Sequence, residues 1–257
     1  MSQQVDYRAR LSPKSLSNLN YVSIPSNSAS NNQITQGNSF PSQGGINVQT
    51  DDVLGPKIQS NLLYPLWSTN GVLFPYTPSL STGNVAEYDT TAFIHTNYGF
   101  NAYIRSYPKP ISLSAEFTAQ TNDEALYLLA VLQFFRSVTK SYFGINPYNK
   151  AGTPPPVLLF NYLGDYQYNN VPVIIKDFSF THEANIDYVP VNTQLNQMYS
   201  SAVGISLPPA SSTGYTYVPT HLSVNLEMDF QYIPIQLRNQ FNLDLFRSGA
   251  LVNQGFI

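Results

Sequence analysis

The stretch from Ile111 to Gly144, ISLSAEFTAQTNDEALYLLAVLQFFRSVTKSYFG, decides the fold, because a strand, a cap and a helix follow one another in it with each boundary spelled out. From Ile111 the apolar residues alternate: Ile111, Leu113, Ala115, Phe117 and Ala119 fall on one face, and Ser112, Ser114, Glu116 and Thr118 on the other. Period two over this length is the mark of a half-buried strand. At Thr121 the period changes. Thr121 and Glu124 have the spacing of a capping box, in which the hydroxyl accepts from a free backbone N–H and the carboxylate accepts from the cap residue's own N–H. One flanking α-helix is therefore expected around residues 122–143, about 30 Å long. Ala125, Leu128, Leu129, Leu132 and Phe135 form its buried face, and Leu126, Val131 and Phe134 widen that face until little of the first three turns is polar. So wide a stripe needs cover on more than one side. Arg136 and Lys140 suit the negative end of the helix dipole, and Gly144 with Pro147 supplies the stop.

Upstream, Phe93 to Ser106 alternates through Tyr98, Phe100, Ala102 and Ile104 and reads as a long strand. Pro108 and Pro110 are expected to turn it into the Ile111 strand as a hairpin. Before it, LLYPLW (from Leu62) and VLFPYTP (from Val72) carry prolines, which confine these pieces to edges or turns. Residues 1–60 show no sustained period and read as an extended or partly disordered arm. Two readings are open for it: a partly disordered tail, or a segment that becomes ordered by lying across a partner.

Downstream, AGTPPP is a stiff linker and Val157 to Tyr162 a short apolar strand. In VPVIIKDFSF (Val171 to Phe180), Val171, Val173 and Ile175 share a face that Phe178 and Phe180 can join only through a bulge at Lys176 or Asp177. An inserted loop is expected near 185–219. The last strand alternates without a break: Leu222, Val224, Leu226, Met228, Phe230 and Tyr232 face inward, and His221, Ser223, Asn225, Glu227, Asp229 and Gln231 outward. Residues 235–257 form a C-terminal tail with a short helix around Leu237 to Phe246. The sum is a mainly β domain over 61–234 with one capped helix.

Composition agrees. Charged residues are only 11% of the 257, aromatic residues reach 14% and there are 19 prolines, a profile of aromatic strands joined by stiff turns. So neutral a surface suits permanent contacts with neighbours. A net charge of −3 without clustered Lys and Arg argues against a phosphate-neutralising nucleic-acid binder. The absence of cysteine excludes disulfides and thiolate metal sites. MSQQVDYRAR has no apolar stretch of the signal-peptide kind, and no run reaches the length of a membrane span, so a soluble intracellular start is the expectation.

Chemistry-bearing patterns are scarce. His95, His182 and His221 lack metal-ligand spacing, and His182-Glu183 begins a zinc-protease helix motif that Ile186 does not complete. Asp123 and Glu124 belong to the helix start. Glu227 and Asp229 lie two apart on a polar strand face, where an acid pair or a solvated face are both open. No catalytic, cofactor-binding or metal site is expected.

Several blocks, in order and spacing, carry a resemblance: VLFPYTPSL (Val72 to Leu80), HTNYGFNAYIRS (His95 to Ser106), the stretch from Ser114 to Gly144, AGTPPPVLLFNYLG (Ala151 to Gly164) and NVPVIIKDFSF (from Asn170). IDYVPV and the closing QGFI add to it more loosely. The chain resembles the baseplate tube-initiator proteins of contractile-tailed bacteriophages, relatives of the tail tube protein. The resemblance implies a β-barrel-like sandwich with a flanking helix, assembled as a homohexameric ring in the virion baseplate after synthesis in the host cytoplasm. Its implied partners are the tail tube protein, the baseplate hub and other tube-initiator proteins, with DNA passing through the lumen without specific binding and no membrane involved. On that reading Ser114, Glu116, Thr118, Asn225, Glu227 and Asp229 are the expected lumen-facing residues, since acidic groups repel phosphate. The same residues equally describe an exposed sheet face. Two other readings stay open: the main tail tube subunit itself, and a carbohydrate-binding β-module using exposed Tyr and Trp67.

Overall fold

In the computed structural model, residues 7–14, 20–24, 46–51, 53–57, 61–143, 152–192 and 215–257 are described. The chain opens with β1 (Arg10–Pro13), β2 (Asn20–Ile24), β3 (Ile46–Asp51) and β4 (Gly55–Pro56), followed by α1 (Pro65–Thr69), β5 (Val72–Leu73) and β6 (Ser79–Ser81). Next come β7 (Asn84–Thr91), β8 (Phe100–Pro108), β9 (Ile111–Thr118), α2 (Asn122–Val138), β10 (Leu158–Tyr162) and β11 (Tyr168–Thr181). It closes with β12 (Tyr188–Asn192), β13 (Tyr215–Pro219), β14 (His221–Phe230), α3 (Pro234–Gln240) and α4 (Leu243–Arg247). The fold is mainly β.

Seven strands form one sheet in the order β5-β1-β10-β11-β14-β9-β6, every neighbour antiparallel. Strand β9 buries Ile111, Leu113, Ala115 and Phe117 and exposes the residues between them, as its alternation requires. On β14 Leu222, Val224, Leu226 and Met228 are buried, while Phe230 is only half-covered at the strand's end. The bulge in β11 falls where the two phenylalanines demand it, between Ile175 and Asp177. It leaves Lys176 and Asp177 both exposed and returns Phe178 and Phe180 to the apolar side.

Helix α2 seals that side. The Thr121 hydroxyl accepts from the Glu124 N–H at 3.3 Å, and the Glu124 carboxylate accepts from the N–H groups of Gln120 and Thr121 at 2.8 and 3.2 Å. These backbone donors hold the Glu124 carboxyl below its usual range. Phe135 packs on Phe178 and Phe180 with ring centroids 6.3 and 6.2 Å away. The Tyr127 hydroxyl donates to the Leu73 carbonyl and accepts from its N–H, tying the helix to the sheet edge. The β12–β13 ribbon, with Val191 and Val218 buried, contacts the helix as well, so α2 is covered on more than one side.

Several expectations are corrected. The helix stops at Val138, not 143, because the hydroxyls of Ser137 and Thr139 bond back to the Phe134, Phe135 and Arg136 carbonyls and the chain leaves the helix there. Gly144 and Pro147 lie outside the described residues. Leu129 is half-exposed: the buried arc is centred on the side of Leu128, Val131 and Phe135, which leaves Leu129 at its margin. The prolines after Leu62 do not merely break structure, since Pro65 at the first helical position opens α1, where its missing N–H costs nothing.

The expected hairpin between Phe93–Ser106 and the Ile111 strand is absent. Strand β8 pairs with β7 instead and runs straight on through Pro108-Lys109-Pro110 into β9. The Lys109 N–H donates to the Gly83 carbonyl at 2.6 Å, so β6–β7 and β8–β9 continue as one long hairpin whose outer half leaves the main sheet. Residues 93–99 form its tip, with His95 at φ 66°. Extended proline backbone is compatible with a strand that does not need the lost donor, which is why the proline signal misleads here.

The ends also differ from expectation. Within the arm, Arg10–Pro13 is a central strand of the sheet, between β5 and β10, with Leu11 fully buried. Further along the arm, the described residues from Asn20 to Pro56 form the β2-β3-β4 sheet and the turn around the buried Leu54. The expected loop has paired ends, β12 and β13, and its middle, 193–214, lies outside the described residues. The single helix expected near Leu237 to Phe246 is two short ones, α3 and α4, separated at Phe241 and Asn242, where Asn242 caps α4 through Asp244 and Leu245. No helix among the described residues is long and apolar enough to cross a membrane.

Candidate functional site on the polar face of the main sheet

With one side of the sheet closed by α2, the side chains at alternate positions of β6, β9, β14 and β11 make a bare polar face. Register builds it. Ser79 of β6 lies opposite Ser114 of β9, which lies opposite Asn225 of β14; Ser81, Ser112 and Glu227 align in the same way one step along. Glu116 faces Ser223, and Asp177 of β11 faces Glu227. The six expected residues Ser114, Glu116, Thr118, Asn225, Glu227 and Asp229 are thus gathered on two hydrogen-bonded neighbours. All are exposed except Thr118 and Asp229, which are half-buried. Thr118 shares a 2.8 Å hydrogen bond with the Tyr76 hydroxyl.

The electrostatics carry two features that the spacing of residues did not reveal. Lys176, pushed outward by the bulge, reaches Asp229 at 3.3 Å and Glu227 at 3.5 Å. Its pKa is raised, first by the hydrogen bond and charge of Asp229 and then by Glu227. The Glu227/Asp229 pair thus lies on a solvent-exposed face, where both carboxylates share one lysine. At the other end of β14, His221 sits between Glu116 at 3.7 Å and Glu183 at 3.6 Å. Among the described residues, the carboxylates Glu116, Asp177, Glu227 and Asp229 share this face with the cation of Lys176 and the imidazole of His221.

The bulge pattern in Val171 to Phe180 is the signal from which the lysine could have been placed, because two consecutive residues must point outward there. Ser79 and Ser81 had no such signal: only the pairing of β6 with β9 puts them on the face.

Other sequence candidates are dispersed. His182 and Glu183 follow the end of β11 in non-helical chain, so the zinc-protease helix motif is not formed. Among the described residues no group of three His, Asp or Glu is placed to hold a metal ion. Trp67 is half-buried against the core, with Lys57 5.6 Å from the ring centre, and does not stand out as an aromatic platform.

No protein-family model matches the chain, and no curated protein matches it.

Proposed function

We propose that this protein is a structural virion subunit whose copies form a sixfold ring at the baseplate end of a contractile phage tail, joining the hub to the tail tube and initiating tube assembly. The observation that carries this reading is the asymmetry of the main sheet. One face is sealed by α2, and the other is exposed, built largely of Ser, Thr and Asn, and weighted toward carboxylates. A conduit for DNA needs such a wall, polar enough to stay wet and acidic enough to repel phosphate. The order of the sequence blocks supports the same family, and the mainly β architecture with a flanking helix is compatible with the tail-tube type of sandwich.

Light scattering of the purified protein across concentration, followed by mixing with tail tube subunits, tests the proposal. A hexamer, or a smaller species that nucleates tubes only on mixing, is the expected result. Long tubes grown from this protein alone would assign it as the main tube subunit instead. A monomer that stays inert toward tube subunits and binds a glycan would sink the ring and leave the carbohydrate-binding module.

A further inference from the structure

Two limbs of the molecule have no buried residue at all. The first is the β7–β8 ribbon, which stands out from the sheet with both faces in solvent. It carries eight large exposed apolar side chains, among them Tyr88, Ile94 (86% exposed), Tyr98 (85%), Phe100 (68%) and Ile104. A lone two-stranded hairpin is at best marginally stable in water. Cross-strand contacts brace this one: Tyr88 against Tyr103 at 5.7 Å, Phe93 against Phe100 at 5.8 Å, and Arg105 bonded to Glu87 at 2.6 Å. The second limb is α3–α4, helices of 7 and 5 residues, far below the length at which a helix holds itself. It exposes Ile233, Ile235, Leu237, Phe241, Leu243 and Leu245.

We propose that the β7–β8 ribbon of one copy is seated on the α3–α4 limb of a second copy of the same chain, head to tail. The inference rests on the ring reading, for which it names the two unlike patches that a closed heterologous ring requires. Area supports it. At ~150–250 Å² per large side chain, the ribbon presents on the order of 1,000 Å² of largely apolar surface, about one partner's share of a standard interface. Charge supports it too. On the ribbon Arg105 is taken up by Glu87, which leaves Asp89 without an ionic partner among the described residues. On the helical limb Arg247 is taken up by Asp244, at 3.5 Å, which leaves Arg238 as the cation without one. Each patch therefore offers an apolar field and one charge, of opposite sign.

The chain has no cysteine, so single thiols can be placed without background. Ile94→Cys and Leu243→Cys proteins are made separately, mixed and mildly oxidised, with Ser114→Cys as the control. The expected product is a disulfide joining the Ile94→Cys peptide to the Leu243→Cys peptide, and no adduct with the control. In the protein without added thiols, Asp89→Arg should weaken association on the order of tenfold, and Arg238→Asp in the same chain should restore it. Ribbon-to-ribbon disulfides, or an oligomer by light scattering that gives no ribbon-to-helix adduct and ignores the charge swap, would overturn the pairing while leaving the ring reading intact. A cross-linked product from an assembly that stops at two copies would uphold the pairing and sink the sixfold ring. A monomer at every concentration, with no adduct, would sink both.

Discussion

Phe135 meets Phe134, Phe178 and Phe180 with centroid separations of 5.7, 6.3 and 6.2 Å, and it is fully buried. Phe135→Ala is expected to cost about 3–5 kcal/mol, because the cavity opens between a helix and a sheet that cannot both collapse onto it. Urea unfolding should show a lower midpoint at unchanged slope; a changed slope would mean a different folded or unfolded state. Tyr232 makes a second residue-scale prediction. Its ring stacks on Phe256 at 5.4 Å and its hydroxyl donates to the Gly255 carbonyl at 2.8 Å, locking the closing residues to the body. Burial pushes the phenol up to about 12. In the unfolded chain it ionises near pH ~10, so the folded state keeps a proton that the unfolded state has lost. The stability that Tyr232 contributes is present in full below pH ~10 and disappears as the pH rises through the folded value. An ultraviolet titration of the tyrosines should show a late-ionising phenol that Tyr232→Phe removes. A titration curve left unchanged by that substitution would contradict the burial.

At the scale of elements, the bulge in β11 is the clearest case of sequence and sheet agreeing. Deleting Lys176 joins Ile175 to Asp177, and the inward positions then run Val173, Ile175, Phe178, Phe180 without any bulge. The variant is expected to fold with its near-ultraviolet circular dichroism retained, while Glu227 and Asp229 lose their shared cation. Inserting a residue between Phe178 and Ser179 should do the opposite, turning Phe180 to the polar face and collapsing the signal. If both variants behaved alike, the bulge would not be setting the register. The capping box and the alternation on β9 and β14 were legible in the same way, since each is a local pattern whose consequence is local. The β8 partner was not, because prolines at 108 and 110 report a missing donor and say nothing about which strand lies alongside.

At the scale of the whole molecule, the polar face decides what the proposed ring does to DNA. The native protein is expected to leave duplex DNA unretarded at physiological salt. Glu116→Lys together with Glu227→Lys should create retention that falls steeply as salt rises, since each added contact to phosphate releases counterions. Retention by the native protein under the same conditions would contradict the conduit. The amino-acid sequence by itself determined the strand alternation, the helix start, the bulge and the scarcity of charge, because each follows from side-chain type at short spacing along one segment. Only the tertiary structure decided that Arg10–Pro13 belongs inside the sheet, that Lys176 is held by two carboxylates of β14, and that β7–β8 and α3–α4 stand uncovered. The physical reason is range: strand order and coverage are set by pairings between segments tens to hundreds of residues apart, and a single sequence carries no term for which distant segment wins.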